Sequence, residues 1–201
     1  MENPVIQLID ELDTSRVSNH RKGLLKPLLD YLSQKIKQKA EINLNFICTH
    51  NSRRSQLSQL WAKVISDFYG LNINTFSGGI EVTACNERTI SSFKRMGLSI
   101  INPGGMNPRY EVKYHESRPP AILFSKIYSD DPNPKHNFAA VMTCAHADEN
   151  CPFIPGAETR ISLPYEDPKV FDDSPDEAKM YDQRSIQIAT EMKYVLSTIL
   201  S

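Results

Sequence analysis

The sequence predicts an α/β domain: a central, mostly parallel sheet flanked by helices, with a helical extension in front. Three observations predict it. The buried strand pattern in "EINLNFIC" runs through a tight loop into an amphipathic helix. A second apolar run, "NFAAVMT", leads straight into a cysteine, and a short strand pattern, "TRISLP", follows it. The chain then ends in a long helical pattern. Strands alternating with helices imply parallel pairing, because a parallel return needs a crossover.

In chain order, residues 1–40 form the extension. Val5, Ile6, Ile9 and Leu12 make one apolar face, and Leu24, Leu25, Leu28, Leu29, Leu32 and Ile36 make a second, both at helical spacing. The polar stretch 13–22 divides them, and Pro27 suits an early turn of the second helix. The domain, 41–201, opens on a strand in which Ile42, Leu44 and Phe46 alternate and Ile47 joins them, the pattern of a largely buried strand. Leu57, Leu60, Trp61, Val64, Ile65 and Phe68 follow helical spacing, and Gly70 closes that helix. "NINTFS" (72–77) reads as a second strand. Asn86 can cap a helix carrying Ile90, Phe93 and Met96 and ended by Gly97. Residues 101–120 read as loop, "AILFSKIY" (121–128) as a strand and "DDPNP" as a turn. Strands at 137–143 and 159–164 follow. Ser174 and Glu177 then set up a capping box with Pro175 at the first helical position. Ile188, Met192, Val195, Leu196 and Ile199 form the inner face of that last helix.

The 201 residues suffice for one domain with an extension. A formal net charge of −1 supplies no basic field for nucleic acid. No apolar run approaches the roughly 18 residues that span a bilayer. The acidic start, "MENPVIQLIDELD", has neither a basic n-region nor an apolar h-region. The expectation is a soluble, cytoplasmic protein with no nucleic-acid or membrane partner. In a reducing cytosol its four cysteines, Cys48, Cys85, Cys144 and Cys151, are not structural staples. They read as buried, metal-binding or catalytic.

Cys48 ends a strand and Arg54 begins a helix. A loop in that place turns its amides inward, and the helix N-terminus adds partial positive charge. A thiolate is the useful nucleophile, and such surroundings favour it. The Arg54 guanidinium can hold two equatorial oxygens of a tetrahedral oxyanion at once. Ser55 can donate its hydroxyl to the thiolate, and Asn51 can brace the loop through its side-chain amide. Thr49, His50, Asn51, Ser52, Arg53 and Arg54 are the candidate oxyanion-binding residues. The plainer alternative is a structural cysteine with an arginine following by chance. The strand before and the amphipathic helix after favour the anion site.

Cys144 and Cys151 are seven residues apart. If "CAHADENC" is helical, both sulfurs share a face but their Cα atoms stand ~10.5 Å apart. A disulfide needs about 4.4–6.8 Å, so a Cys144–Cys151 bridge requires that helix to unwind. A zinc cluster of Cys144, His146 and Cys151 is the other possibility; it needs a fourth ligand folded back from His115 or His136. Cys85 reads as packing.

"CTHNSRRSQLSQLWAK" resembles the active-site loop and helix of the low-molecular-weight protein tyrosine phosphatase superfamily, and within it the thioredoxin-coupled arsenate reductases. "SGGIEV" followed by Asn86 resembles the next family segment, and "CAHADENCPFIP" its redox segment. The resemblance covers roughly 42–200, not 1–40, and residues 101–136 look longer than the family pattern. It implies a three-layer fold and an arsenate reductase without a bound cofactor. Cys48 would attack arsenate, Cys144 would attack the Cys48 sulfur, Cys151 would attack Cys144, and thioredoxin would be the electron donor. The family's acid is an Asp-Pro downstream of the redox segment. Asp167-Pro168 fits, Glu166 is its nearest competitor, and Asp131-Pro132 stands in the wrong order.

The pattern also departs from the family. His50 stands where the loop usually has glycine, so its side chain must point away from the anion or crowd it. Arg53 stands where a cysteine is frequent. Gln59 stands where potassium-dependent reductases carry a glutamate ligand, so no cation site is carried over. Lys169 stands where the tyrosine phosphatases usually place an aromatic. Two further readings remain beside the reductase: a phosphatase acting on phosphotyrosine or small phosphoesters, and a non-catalytic oxyanion-binding domain with 1–40 as its partner-binding element.

Overall fold

The structure, a computed structural model, describes residues 3–150 and 153–200. Helix α1 (Pro4–Glu11) is capped by Asn3, whose side chain accepts from Val5 N. A 3-10 turn at Thr14–Arg16 leads to α2 (Asn19–Lys37), capped by Ser18. Pro27 therefore lies inside α2, not in an early turn. Pro27 and Gly23, four residues before it, are both exposed, so water can take the carbonyl that a proline cannot satisfy.

Strand β1 (Asn43–Cys48) is buried along its whole length, as a central strand covered on both faces must be. Its two buried asparagines donate sideways, Asn43 to Asn137 O and Asn45 to Tyr128 O, while Asn45 Oδ1 has no partner among the described residues. Helix α3 (Arg54–Phe68), strand β2 (Asn74–Gly79) and helix α4 (Glu87–Arg95) follow, with Asn86 capping α4 as its sequence predicts. The stretch read as loop, 101–120, carries the last residue of one strand, β3 (Ser99–Ile101), and the whole of another, β4 (Tyr110–Lys113). With β5 (Ala121–Leu123) they form a small antiparallel sheet in the order β3-β4-β5. In β4 only Tyr110 and Val112 point inward, too short an alternation to stand out between glycines and prolines. β5 stops at Leu123, short of the strand expected to Tyr128: Ser125 and Lys126 turn to bind the loop after β1, and residues 126–128 bridge to Gly79 at the end of β2.

β6 (Phe138–Met142), α5 (Ala145–Asn150), β7 (Ala157–Ser162), a 3-10 turn at Pro168–Phe171 and α6 (Glu177–Ile199) complete the chain. The capping box expected before α6 does not form. Ser174 Oγ donates to Phe171 O, and the Glu177 carboxylate is drawn to Arg88 Nε of α4 at 2.6 Å, so the helix starts at Glu177 without a side-chain cap. The main sheet is parallel, in the order β2-β1-β6-β7. Both α1 and α2 pack on α6, and Val5, Ile9, Leu25, Leu28 and Leu32 enter one continuous core with Leu44, Phe46, Trp61, Val141 and Ile188.

Candidate active site

Ligands of open parallel sheets bind beyond the carboxyl ends of the strands. Here β1 delivers Cys48 to that edge and β6 delivers Cys144. Their register pairs Ile47 with Met142, and Thr143 N and Oγ1 both donate to Ile47 O, at 2.7 and 2.9 Å. Cys48 and Cys144 consequently share one small apolar cluster with Ile47, Met142, Ala147 and Ile154. Cys151 lies outside the described residues.

The loop after Cys48 is held from three sides. Asn51 takes a positive φ of 47°, which asparagine tolerates. Its Nδ2 donates to Ser55 Oγ at 2.8 Å, and its Oδ1 accepts from Lys126 N at 3.1 Å. Gln56 Nε2 donates to Asn51 O and Phe124 O, both at 2.8 Å. Ser125 Oγ donates to His50 O at 2.8 Å. From the β2 side, a Cβ on Gly79 would stand 2.8 Å from both Asn51 N and Thr49 O, so glycine is required there for the close approach. Ser55 Oγ lies 3.0 Å from Cys48 Sγ. Because Asn51 already donates to that oxygen, the Ser55 hydrogen is left for the sulfur.

Arg54 directs one terminal nitrogen at Asp167 Oδ2 (2.7 Å) and the other at Tyr165 O (3.2 Å), while its Nε is buried with no partner among the described residues. Asp167 caps the 3-10 turn through Lys169 N, which fixes its carboxyl at the loop. Glu166, the competing acid, is turned outward onto Arg184. Among the described residues, no backbone N–H from Asn51 to Arg54 meets a protein acceptor.

The remaining loop side chains turn elsewhere. His50 Nε2 lies 3.2 Å from Glu81 Oε2 with its ring half exposed, so the imidazole does not crowd the anion position. The positive φ sits at Asn51, not at His50. Arg53 contributes its backbone only: its guanidinium is taken by Tyr181 OH (2.7 Å) and Asp172 (3.1 Å). Ser52 Oγ donates to Ala84 O. Thr49 Oγ1 stands 3.6 Å from Cys144 Sγ and 3.2 Å from His146 Nδ1. Cys144 is fully buried at the start of α5 and accepts a hydrogen bond from Ala147 N at 3.3 Å. Gln59 accepts from Ser77 Oγ. His115, one of the two histidines considered for zinc, instead closes on Ser117.

Several contributors carry no signal in the sequence. Tyr165, Ser125 and Lys126 serve the site from remote segments, Tyr165 and Lys126 through backbone groups, and Gln56 serves it from the first turn of α3. Lys126 is buried behind the loop with its ammonium 4.4 Å from the centre of the Phe124 ring, and burial pushes it down to about 8. Cys85 is packed nearby, and burial pushes its thiol up to about 12. Beside the loop lies a cleft of about 470 Å³ lined by His50, Arg53, Cys85, Arg88 and Lys169.

No protein-family model matches the chain. Its fold matches that of a YwlE mutant from Bacillus subtilis (TM-score 0.53, 11% identity, covering 80% of this chain and 100% of that one). It also matches a low-molecular-weight phosphotyrosine phosphatase from Vibrio cholerae O395 (TM-score 0.53, 11% identity, 78% and 95%). Fold and cysteine loop together define a low-molecular-weight protein tyrosine phosphatase architecture. Among curated proteins, arsenate reductase 2 of Staphylococcus epidermidis is 32% identical over 124 residues, 61% of this chain and 76% of the relative. The arsenate reductase of Staphylococcus aureus is 31% identical over 124 residues, with the same coverage. The chain belongs to the arsenate reductase family within the low-molecular-weight protein tyrosine phosphatase superfamily, and it is an enzyme of that type.

Proposed function

We propose that the enzyme reduces arsenate through a Cys48–Cys144–Cys151 thiol–disulfide relay recycled by thioredoxin in the cytoplasm, with no bound cofactor. The observation that carries this is Cys144. In a phosphatase a buried thiol beside the nucleophile serves only to protect it from over-oxidation, whereas the relay needs one there for every turnover. The loop amides, with the unpartnered Arg54 Nε, supply donors for a tetrahedral oxyanion. Cys48 attacks arsenic, and Asp167 gives a proton to the departing oxygen. Cys144 then attacks the Cys48 sulfur. The S–S bond forms as the S–As bond breaks, its electron pair stays on arsenic, and arsenite leaves. Cys151 attacks Cys144 and frees Cys48, leaving a Cys144–Cys151 disulfide for thioredoxin. Because α5 is helical from Ala145 onward, it must unwind for that last bridge to close.

The test is arsenate-dependent, thioredoxin-coupled NADPH consumption. Wild type turns over; Cys144→Ser and Cys151→Ser do not; Cys48→Ser loses all chemistry. Phosphoester hydrolysis without any arsenate-dependent turnover would instead establish the phosphatase, a reading that Asp167 beside Arg54 serves equally, as the acid for a leaving alcohol.

A further inference from the structure

Cys144 must lose a proton before it can attack, yet it is 0% exposed. Among the described residues, one neighbour of its sulfur, Ala147 N, is a donor, so it cannot take that proton. The other is Thr49 Oγ1, which also reaches His146 Nδ1. A hydroxyl can accept from S–H and donate to an imidazole nitrogen in the same arrangement. His146 is exposed, so it is open to solvent while the thiol is not.

We propose that His146 accepts the Cys144 proton through the Thr49 hydroxyl, forming a proton path from the buried thiol to the surface. The proton passes from Cys144 Sγ to Thr49 Oγ1 as the Thr49 proton passes to His146 Nδ1. The imidazolium then releases a proton to water, and the thiolate attacks Cys48. This use of His146 requires the tautomer with its hydrogen on Nε2. The path rests on the proposed relay, and it gives Thr49 a task that backbone anion binding does not. Charged groups accompany His146 on its own helix and beside it. α5 itself adds Asp148, which is bound to Arg160 of β7 and Ser162, and the exposed Glu149. Against α5, β1 presents Cys48, and beside the loop His50 is paired with Glu81.

The experiment follows Cys48–Cys144 disulfide formation by rapid quench and mass spectrometry, in the full chain with Cys151→Ser so that the relay stops there. It is triggered in separate arms by arsenate and by hydrogen peroxide. Peroxide converts Cys48 to a sulfenic acid, from which the Cys144 thiolate displaces hydroxide, so that arm does not depend on arsenate. His146→Ala is expected to slow the step at pH 7 by about tenfold or more, with the rate recovering at alkaline pH and on addition of imidazole. Thr49→Val should reproduce the same displaced pH profile, and Thr49→Ser should restore the parent profile. An unchanged profile in His146→Ala or Thr49→Val overturns the proposal. So does a loss that is equal at all pH values and insensitive to imidazole, since that is a structural effect. Disulfide formation with peroxide but not arsenate sinks the reductase and leaves the proton path to be judged on the peroxide arm. No disulfide in either arm means Cys144 is not the attacking thiol, and the path falls with it.

Discussion

Cys48 is 3% exposed, and its sulfur meets the Ser55 hydroxyl, which is itself oriented by Asn51. Removing that hydroxyl should act on the sulfur more than on binding. Ser55→Ala is expected to lower kcat by about tenfold or more with little change in KM, read from steady-state kinetics. Behind the loop, Lys126 presents the opposite situation, a charge that burial disfavours. Its proton is held less tightly in the folded state (about 8) than in the unfolded one (10.5). The cost is therefore complete below pH 8 and fades as the pH rises toward 10.5, so folding stability from this residue increases across that window. Lys126→Met should stabilise the protein at pH 7 by up to about 3 kcal/mol, less what the Phe124 contact returns. Urea unfolding at pH 7 and pH 9.5 should show the gain shrinking at the higher pH. At this scale Cys48, Arg54, Ser55 and Asn51 were legible in the sequence, because their roles follow from spacing along one strand–loop–helix. The fates of His50 and Arg53 were not: each depends on a partner, Glu81 or Tyr181 and Asp172, that spacing does not reveal.

The elements that build the site are β1, α3 and β6, and their apolar periodicities announce them. The elements that misled carry weak or conflicting signals. Ser174, Pro175 and Glu177 have the form of a helix start, but a charge on α4 competes for Glu177 and wins. Pro27 has the form of an early helical turn, yet α2 begins eight residues before it and continues through it, with Leu25, Leu28 and Leu32 buried. Replacing this proline restores an N–H opposite Gly23 O. Pro27→Ala is expected to stabilise the fold by about 1–3 kcal/mol, visible as a higher urea midpoint at unchanged m, with activity unaltered.

Across the whole molecule, the N-terminal helices are tied to the active site by charge as well as packing. Arg21 of α2 makes a two-point contact with Glu191 of α6, at 2.8 and 2.7 Å, and donates to Pro164 O at 2.8 Å. Its guanidinium stands 4.6 Å from the centre of the Tyr165 ring, and the Tyr165 hydroxyl donates to Glu191 at 2.9 Å. Burial raises the Tyr165 phenol well above its ordinary value and keeps it a donor. The carbonyl of the same tyrosine receives Arg54. Arg21→Ala would strand a carboxylate that is 2% exposed, so a loss of about 3–5 kcal/mol in urea unfolding is expected. Oxyanion affinity should weaken with it, because Tyr165 and Asp167 lose their anchor; an intact affinity in the folded variant would show that the extension only adds stability. Among the described residues no helix is long and apolar enough to cross a membrane.

The sequence by itself determined the fold class and the strand–loop–helix that presents Cys48 and Arg54, because periodicity and short spacing are local and survive without knowledge of contacts. It also singled out Cys144 and Asp167, through their resemblance to family segments. Only the tertiary structure decided that Cys48 and Cys144 leave adjacent strands, that Asp167 rather than Glu166 meets Arg54, and that Thr49 stands between Cys144 and His146. Those facts follow from strand order and register in a parallel sheet, where residues about a hundred positions apart become neighbours through hydrogen bonds that no local pattern encodes.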